Sequence, residues 1–333
     1  MRKNRKSTYL IIVLICLIIF NLGSSFIKFR QNSTSNPKKD GIIKSTFTKG
    51  IKSLFGKVFN IGGSRDTDTE IEGSIDGMED FIIIETLDEY EDFIKVKDSP
   101  GDYNLDDIPE PVNVKKIKFE EDKPYMFFYH THTTEGYKPF EKKNSYYNSN
   151  NDKNVVKVGD TISKVLEAKD HNVEHNTKVH SEPSFNQSYS RSLNTVNKAK
   201  EDEENLKFFF DIHRDGIDEN KLSKSAYETH RKKSRIKIDD KDVATFFLVL
   251  GPNAPNHEEN LNFAKYIKAV SDTMYPGLCK GIVIKPVGKY NLHVSDHAAL
   301  IEVGSNLNTI DEVNETGKLI GEVLDLVVKS LKE

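Results

Sequence analysis

Two stretches decide the fold: Tyr125-Met-Phe-Phe-Tyr129-His130-Thr131-His132-Thr133-Thr134-Glu135 and Phe208-Phe-Phe-Asp211-Ile212-His213-Arg214-Asp215. Each is a short apolar run that breaks off at a histidine. A run of this length bounded by polar residues reads as a strand buried on both faces of a sheet. Side chains just past such strands lie at the carboxyl ends of the sheet, where open α/β folds keep their chemistry.

Working outward, the same alternation continues. A helical stretch at 154–169 carries Val155, Val158, Ile162, Val165 and Leu166 on one face, and a short strand follows near Asn172–His175. A helix at 188–203 leads into the strand at 207–212. Val243–Leu250 reads as one strand ended by Gly251-Pro252-Asn253, and His257–Met274 reads as a helix. Gly281–Lys285 and Ala298–Val303 are further apolar runs, and Ile310–Leu331 is a closing helix. Strands alternating with helices predict an α/β domain with a mainly parallel sheet and helices on both faces. It would occupy residues 111–333, long enough for one substantial core.

The region before it differs in composition. Arg2, Lys3, Arg5 and Lys6 precede an uncharged run from Tyr9 to Phe20, and Thr8 to Ile27 is about one bilayer's worth of helix. Residues 1–30 are therefore expected to be a cytoplasmic basic tip and a transmembrane anchor, with the rest exported. A cleaved signal peptide is the alternative, with Gly23-Ser24-Ser25 a weak cleavage candidate. Residues 31–65 are basic and rich in Ser, Asn, Lys and Gly. Residues 66–110 hold seventeen Asp or Glu against Lys95 and Lys97. Such segments bury too little apolar surface to offset chain entropy, so 31–110 reads as a flexible stalk. Phe81-Ile-Ile-Ile84 is the exception, fit to dock on the domain or on a partner. The only cysteines are Cys16, inside the hydrophobic run, and Cys279. A metal site in the soluble part would therefore use nitrogen and oxygen ligands. The chain has no phosphate-binding glycine loop, internal repeat or nucleic-acid motif.

Two histidines with a carboxylate form a usual ligand set for catalytic zinc. His130 and His132, Glu135 three residues further on, and His213 from a distant strand supply those types. If the strand ran on through His130 and His132, both would point the same way. A role in capping the strand end is the plainer alternative for one of them. Glu302, in Ala298-Ala-Leu-Ile301-Glu302-Val303-Gly304, ends another apolar strand. A carboxylate there is costly to bury without a partner. Beside a metal it would serve as general base and then general acid; away from one it would be an ion-pair partner beneath the sheet. Arg214 could bind a carboxylate or pair with Asp211 or Asp215. His293 and His297 read as rim residues, and His171, His175, His180, His230 and His257 as surface residues.

Tyr129-His-Thr-His-Thr-Thr-Glu135, Asp211-Ile-His-Arg-Asp215 and Ile301-Glu-Val-Gly304 with Asn308-Thr309 resemble the stage II sporulation protein P family, as does the order of anchor, stalk and catalytic domain. The resemblance covers roughly 111–333. It implies an amidase-like fold related to zinc-dependent N-acetylmuramoyl-L-alanine amidases. It also implies hydrolysis of the amide between muramic acid and the peptide stem of peptidoglycan, with endopeptidase action on cross-links besides. A zinc peptidase acting only on cross-links and a non-catalytic wall-binding scaffold are the rival readings. The setting implied is forespore engulfment, between the mother-cell and forespore membranes, with stage II sporulation proteins D and M as partners. By resemblance Zn²⁺ is held by one of His130 and His132, by Glu135 or Asp152, and by His213, with Glu302 moving the protons. Arg191 and Arg214 are then candidates for binding the stem carboxylates.

Overall fold

The computed structural model describes residues 82–91, 93–94, 103–140 and 146–333. The expected anchor and most of the expected stalk lie outside the described residues. Among the described residues no helix is long and apolar enough to cross a membrane.

A seven-stranded sheet forms the centre. In chain order its strands are β1 (Ile82–Ile84), β2 (Met126–Tyr129), β3 (Val173–His175), β4 (Phe208–Asp215), β7 (Phe246–Leu250), β8 (Cys279–Ile284) and β9 (Ala298–Ser305). Their spatial order is β1-β8-β7-β9-β4-β2-β3. The pairs β2·β3, β2·β4, β4·β9 and β7·β8 are parallel. Only β1·β8 and β7·β9 are antiparallel. The mainly parallel α/β sheet is thus present, and β2 and β4 are buried along almost their whole length.

The helices are α1 (Val155–Glu167), α2 (Ser188–Asp202), α3 (Lys224–Lys233), α4 (His257–Met274) and α5 (Ile310–Ser330). In β4, Phe208 and Phe210 meet Phe263 of α4, while Phe209 lies beneath Lys200 of α2. Alternate residues of a strand face opposite sides, so α2 and α4 cover opposite faces. The apolar stripe of α1, Val155, Val158, Ile162 and Leu166, is fully buried. Asn154 caps that helix by accepting from the Val156 amide. The chain steps outward from β2 to β3, then returns to lay β4 on the other side of β2. The loops leaving β2 and β4 therefore diverge and leave a crevice at their carboxyl ends.

Three elements depart from the sequence reading. The run Val243–Leu250 is two strands: β6 (Lys241–Ala244) pairs with β5 (Arg235–Ile238) in a separate hairpin, and β7 enters the main sheet. Asp239 and Asp240, both at positive φ, make the two-residue turn of that hairpin. Helix α3 has no buried residue, so it carries no apolar stripe to betray it. Thirdly, the acidic region assigned to the stalk takes part in the domain beyond the docking expected of the run at 81–84. β1 pairs with β8, Leu87 and Tyr90 are buried, and Tyr90 stacks on Tyr266 of α4 with centroids 6.3 Å apart. Its few apolar residues, spaced among carboxylates, do the docking.

Candidate active site

Strand β2 ends at Tyr129, and residues 131–134 form a turn. The turn is fixed from β4: the Asp211 carboxylate accepts from the Thr131 amide at 2.8 Å and from its hydroxyl at 2.6 Å. His130 and His132 consequently point to different places. His132 lies against Phe185, with ring centroids 3.9 Å apart, and edge-on to His213 at 5.3 Å. His130 turns toward α1. Its Nδ1 meets the Ile212 carbonyl at 3.1 Å, and its Nε2 meets Nε2 of His175 at 2.8 Å. Gly159 of α1 makes room for that pair, since a Cβ there would stand 2.8 Å from both rings.

His213 has carboxylates on both sides. Glu135 Oε2 lies 3.4 Å from Nδ1 and Asp211 Oδ1 lies 3.0 Å from Nε2, although the latter contact is not aligned as a hydrogen bond. Burial opposes charge on the imidazole, but Asp211 and Glu135 outweigh it and hold its pKa well above the ordinary value. Burial would likewise raise Glu135 and Asp211, yet His213 chiefly keeps both carboxyls below their usual range. Glu135 is further fixed by the Arg214 amide, which donates to Oε2 at 3.1 Å.

On the neighbouring strand Glu302 is the register partner of His213. Its Oε2 is sealed from solvent without a hydrogen-bond partner. Burial pushes its pKa up to about 8, opposed by His213 and reinforced by Glu135 and Asp215. Directly after it the pairing slips by one residue, and Gly304 takes φ +61° there. A bulge with glycine in the left-handed region turns the chain sharply beside the carboxylate.

The structure thus gathers His132, Glu135, His213 and Glu302 at the carboxyl ends of β2, β4 and β9. Asp152 is exposed in the turn before α1. The two candidate arginines are engaged with backbone. Arg214 donates to the carbonyls of Gly136, Asp215 and Tyr146. Arg191 donates to those of His180 and Ser184. Both hold loops around the site, and the expected Arg214 ion pair is replaced by these carbonyl contacts.

Other histidines also depart from expectation. His171 is buried between the Tyr125 hydroxyl and Asp325. His175 is half-buried against His130, and burial lowers its pKa to about 4; the same effect takes His130 to about 3. His180 is buried and bridges the His130 carbonyl to Thr195. His257 is half-buried with its Nδ1 at the Gly251 carbonyl, leaving His230 exposed. His297 immediately precedes β9, at the opposite end from Ser305, and packs between Phe208 and Phe263, so it is not a rim residue. The sequence offered Asp211 only as an ion-pair partner for Arg214; the clue to its place beside His213 is its position directly after Phe208-Phe-Phe, two residues before that histidine.

The donor types suit zinc. Two ligand atoms of a tetrahedral zinc with bonds of about 2.0–2.1 Å stand ~3.3 Å apart, close to the separation of His213 Nδ1 and Glu135 Oε2. A carboxylate behind the far nitrogen of a ligand histidine is the usual support for such a ligand, and Asp211 occupies that place. Among the described residues no three His, Cys, Asp or Glu side chains already enclose an ion-sized point.

The chain is 29% identical over 214 residues to stage II sporulation protein P of Bacillus subtilis (strain 168). That alignment covers 61% of this chain and 50% of the relative, so the chain spans about half the length of the curated relative it matches. Among solved structures it is similar to the CwlD amidase from Clostridioides difficile in complex with the GerS lipoprotein, with TM-score 0.41 and 12% identity, over 63% of this chain and 98% of that one. It is also similar to the N-acetylmuramyl-L-alanine amidase Ami1 from Mycobacterium smegmatis, with TM-score 0.36 and 10% identity, over 63% and 96%. Both structural similarities are weak. The family profile for stage II sporulation protein P matches residues 64–325, most of the chain, and the protein belongs to that family.

Proposed function

We propose that this protein is a zinc-dependent peptidoglycan hydrolase of sporulation that cleaves the amide between muramic acid and the L-Ala of the peptide stem. The observation that carries the reading is the meeting of His132, Glu135 and His213 with Glu302, whose Oε2 is sealed from solvent without a hydrogen-bond partner. His132, Glu135 and His213 would hold the metal. Zinc supplies Lewis-acid polarisation of the scissile carbonyl and acidifies water to a pKa of about 7.

The side chains do the rest. Asp211, fixed by Thr131, orients the His213 ring. The Arg214 amide orients Glu135. Glu302 takes a proton from the attacking water and delivers it to the departing L-Ala nitrogen as the C–N bond breaks. A carboxyl with its pKa drawn toward neutrality is suited to both transfers. The cellular setting belongs to the same proposal. A membrane anchor at residues 1–30 would hold the domain outside the cytoplasm, between the mother-cell and forespore membranes. There it would act in engulfment with stage II sporulation proteins D and M. Endopeptidase action on cross-links would use the same groups.

Mass spectrometry of fragments released from purified sacculi tests the reaction. Intact stems bearing a free L-Ala amine are expected. Cleavage confined to cross-links would make the protein a peptidase, and no release would make it a wall-binding scaffold.

A further inference from the structure

The crevice has two unlike flanks. On one, His132 and His213 run into the rings of Phe185 and Tyr189. On the other, α3 and the β5–β6 hairpin, inserted between β4 and β7, reach the end of β9. A cleft of about 170 Å³ opens there, lined in part by Phe247, Gly304, Asp215, His230, Lys233 and Lys280. It adjoins the site directly, because Phe247 is the register partner of Glu302 on β7 and Gly304 lies two residues beyond Glu302.

The cations of this cleft come from separate elements. Lys233 is the last residue of α3, and Lys280 belongs to β8. Both are exposed and neither has an ion-pair partner among the described residues. Neighbouring lysines do find partners, Lys237 with Asp242 and Lys241 with Glu315. Lys233 is also held in place. Two residues earlier Arg231 donates to Glu312 of α5 at 2.9 Å, and one residue later the Ser234 carbonyl accepts from the Thr245 amide at 3.0 Å. Asp215 is the one carboxylate lining the cleft.

We propose that this cleft binds the carboxylates of the stem peptide, with Lys233 and Lys280 as the specificity-determining cations; the assignment rests on the amidase reading above. A muramoyl amide has an uncharged glycan on one side and an acidic peptide on the other. The two flanks match that polarity: sugar faces against the aromatic rings, carboxylates toward the lysines. This orients the substrate across Glu302, with the leaving amine on the lysine side.

The test uses the full chain and two variants, Lys233→Glu/Lys280→Glu and the milder Lys233→Gln/Lys280→Gln. The probes are the free stem tetrapeptide and the same peptide with its carboxylates converted to amides. Exposed charge pairs contribute a few-fold each, so the natural chain should bind the acidic peptide roughly tenfold more tightly than its amide. Added salt should shrink that preference. The Gln variant should lose it and the Glu variant should reverse it. On sacculi the variants should show a raised KM with kcat nearly unchanged. Equal binding of the two peptides by the natural chain, or a preference that survives in both variants, overturns the proposal. If the preference follows the lysines but no form of the chain releases stems from sacculi, the amidase reading falls and the cleft stands. Release of stems with a preference indifferent to the lysines is the reverse.

Discussion

Replacing Glu302 with glutamine should separate the demands of catalysis from those of folding. The substitution keeps the shape of the side chain and removes its charge. In the folded chain burial pushes this carboxyl from an ordinary 4.5 to about 8. Between those values the folded chain keeps a proton that the unfolded chain has released, so stability falls as pH rises. At about 1.4 kcal/mol per pH unit, the whole interval amounts to roughly 5 kcal/mol, of which about 3 is already lost at pH 7. Water entering the site would lower both figures. Glu302→Gln escapes this loss. Its stability relative to the natural chain should rise steadily from about pH 5 to pH 8 and level off outside that window. Denaturant titrations at several pH values, with a chelator present so that both proteins are metal-free, measure the difference. Turnover should meanwhile fall by roughly a hundredfold or more. Parallel stability–pH curves would refute the buried, proton-holding carboxyl, and near-normal turnover by a zinc-loaded variant would refute its role as proton carrier.

Other outcomes follow from the same geometry. His132→Ala and His213→Ala should each lose most of the bound zinc by elemental analysis. His130→Ala should keep zinc and lower the melting temperature, because its ring holds the Ile212 carbonyl and His175. Gly159→Ala should destabilise by about 1–3 kcal/mol in thermal or denaturant unfolding, because the new methyl would stand 2.8 Å from the packed rings of His130 and His175. A reporter fused after residue 333 should be active only outside the cytoplasm; a cytoplasmic signal would overturn both the anchor topology and the wall substrate.

The sequence was most readable where burial is continuous. The runs at 126–129 and 208–212 could hardly be anything but interior strands, and the stripe of α1 gave its limits nearly to the residue. The charged helix α3 and its hairpin were opaque for the opposite reason: they bury little and rest on tertiary contacts such as Arg231 with Glu312. The site was legible in its residue types but not in its aim. Which of His130 and His132 turns toward His213 depends on Asp211 gripping Thr131 across two strands, a contact that spacing alone does not reveal. The burial of His171 and His180 has the same origin, since each is sealed by partners distant in sequence.

The place of β9 in the sheet bears on when such an enzyme can first act. Strands β2, β3 and β4 can associate as soon as they are made, and β7 with β8 likewise. Within the sheet no strand pairing joins the two groups until residues 298–305 slot between β4 and β7. That same strand brings Glu302. A nascent chain emerging from its amino end therefore carries two half-sheets not yet hydrogen-bonded to each other, and an incomplete crevice, until its last central strand arrives. Assembly of the scaffold and completion of the candidate site are one event.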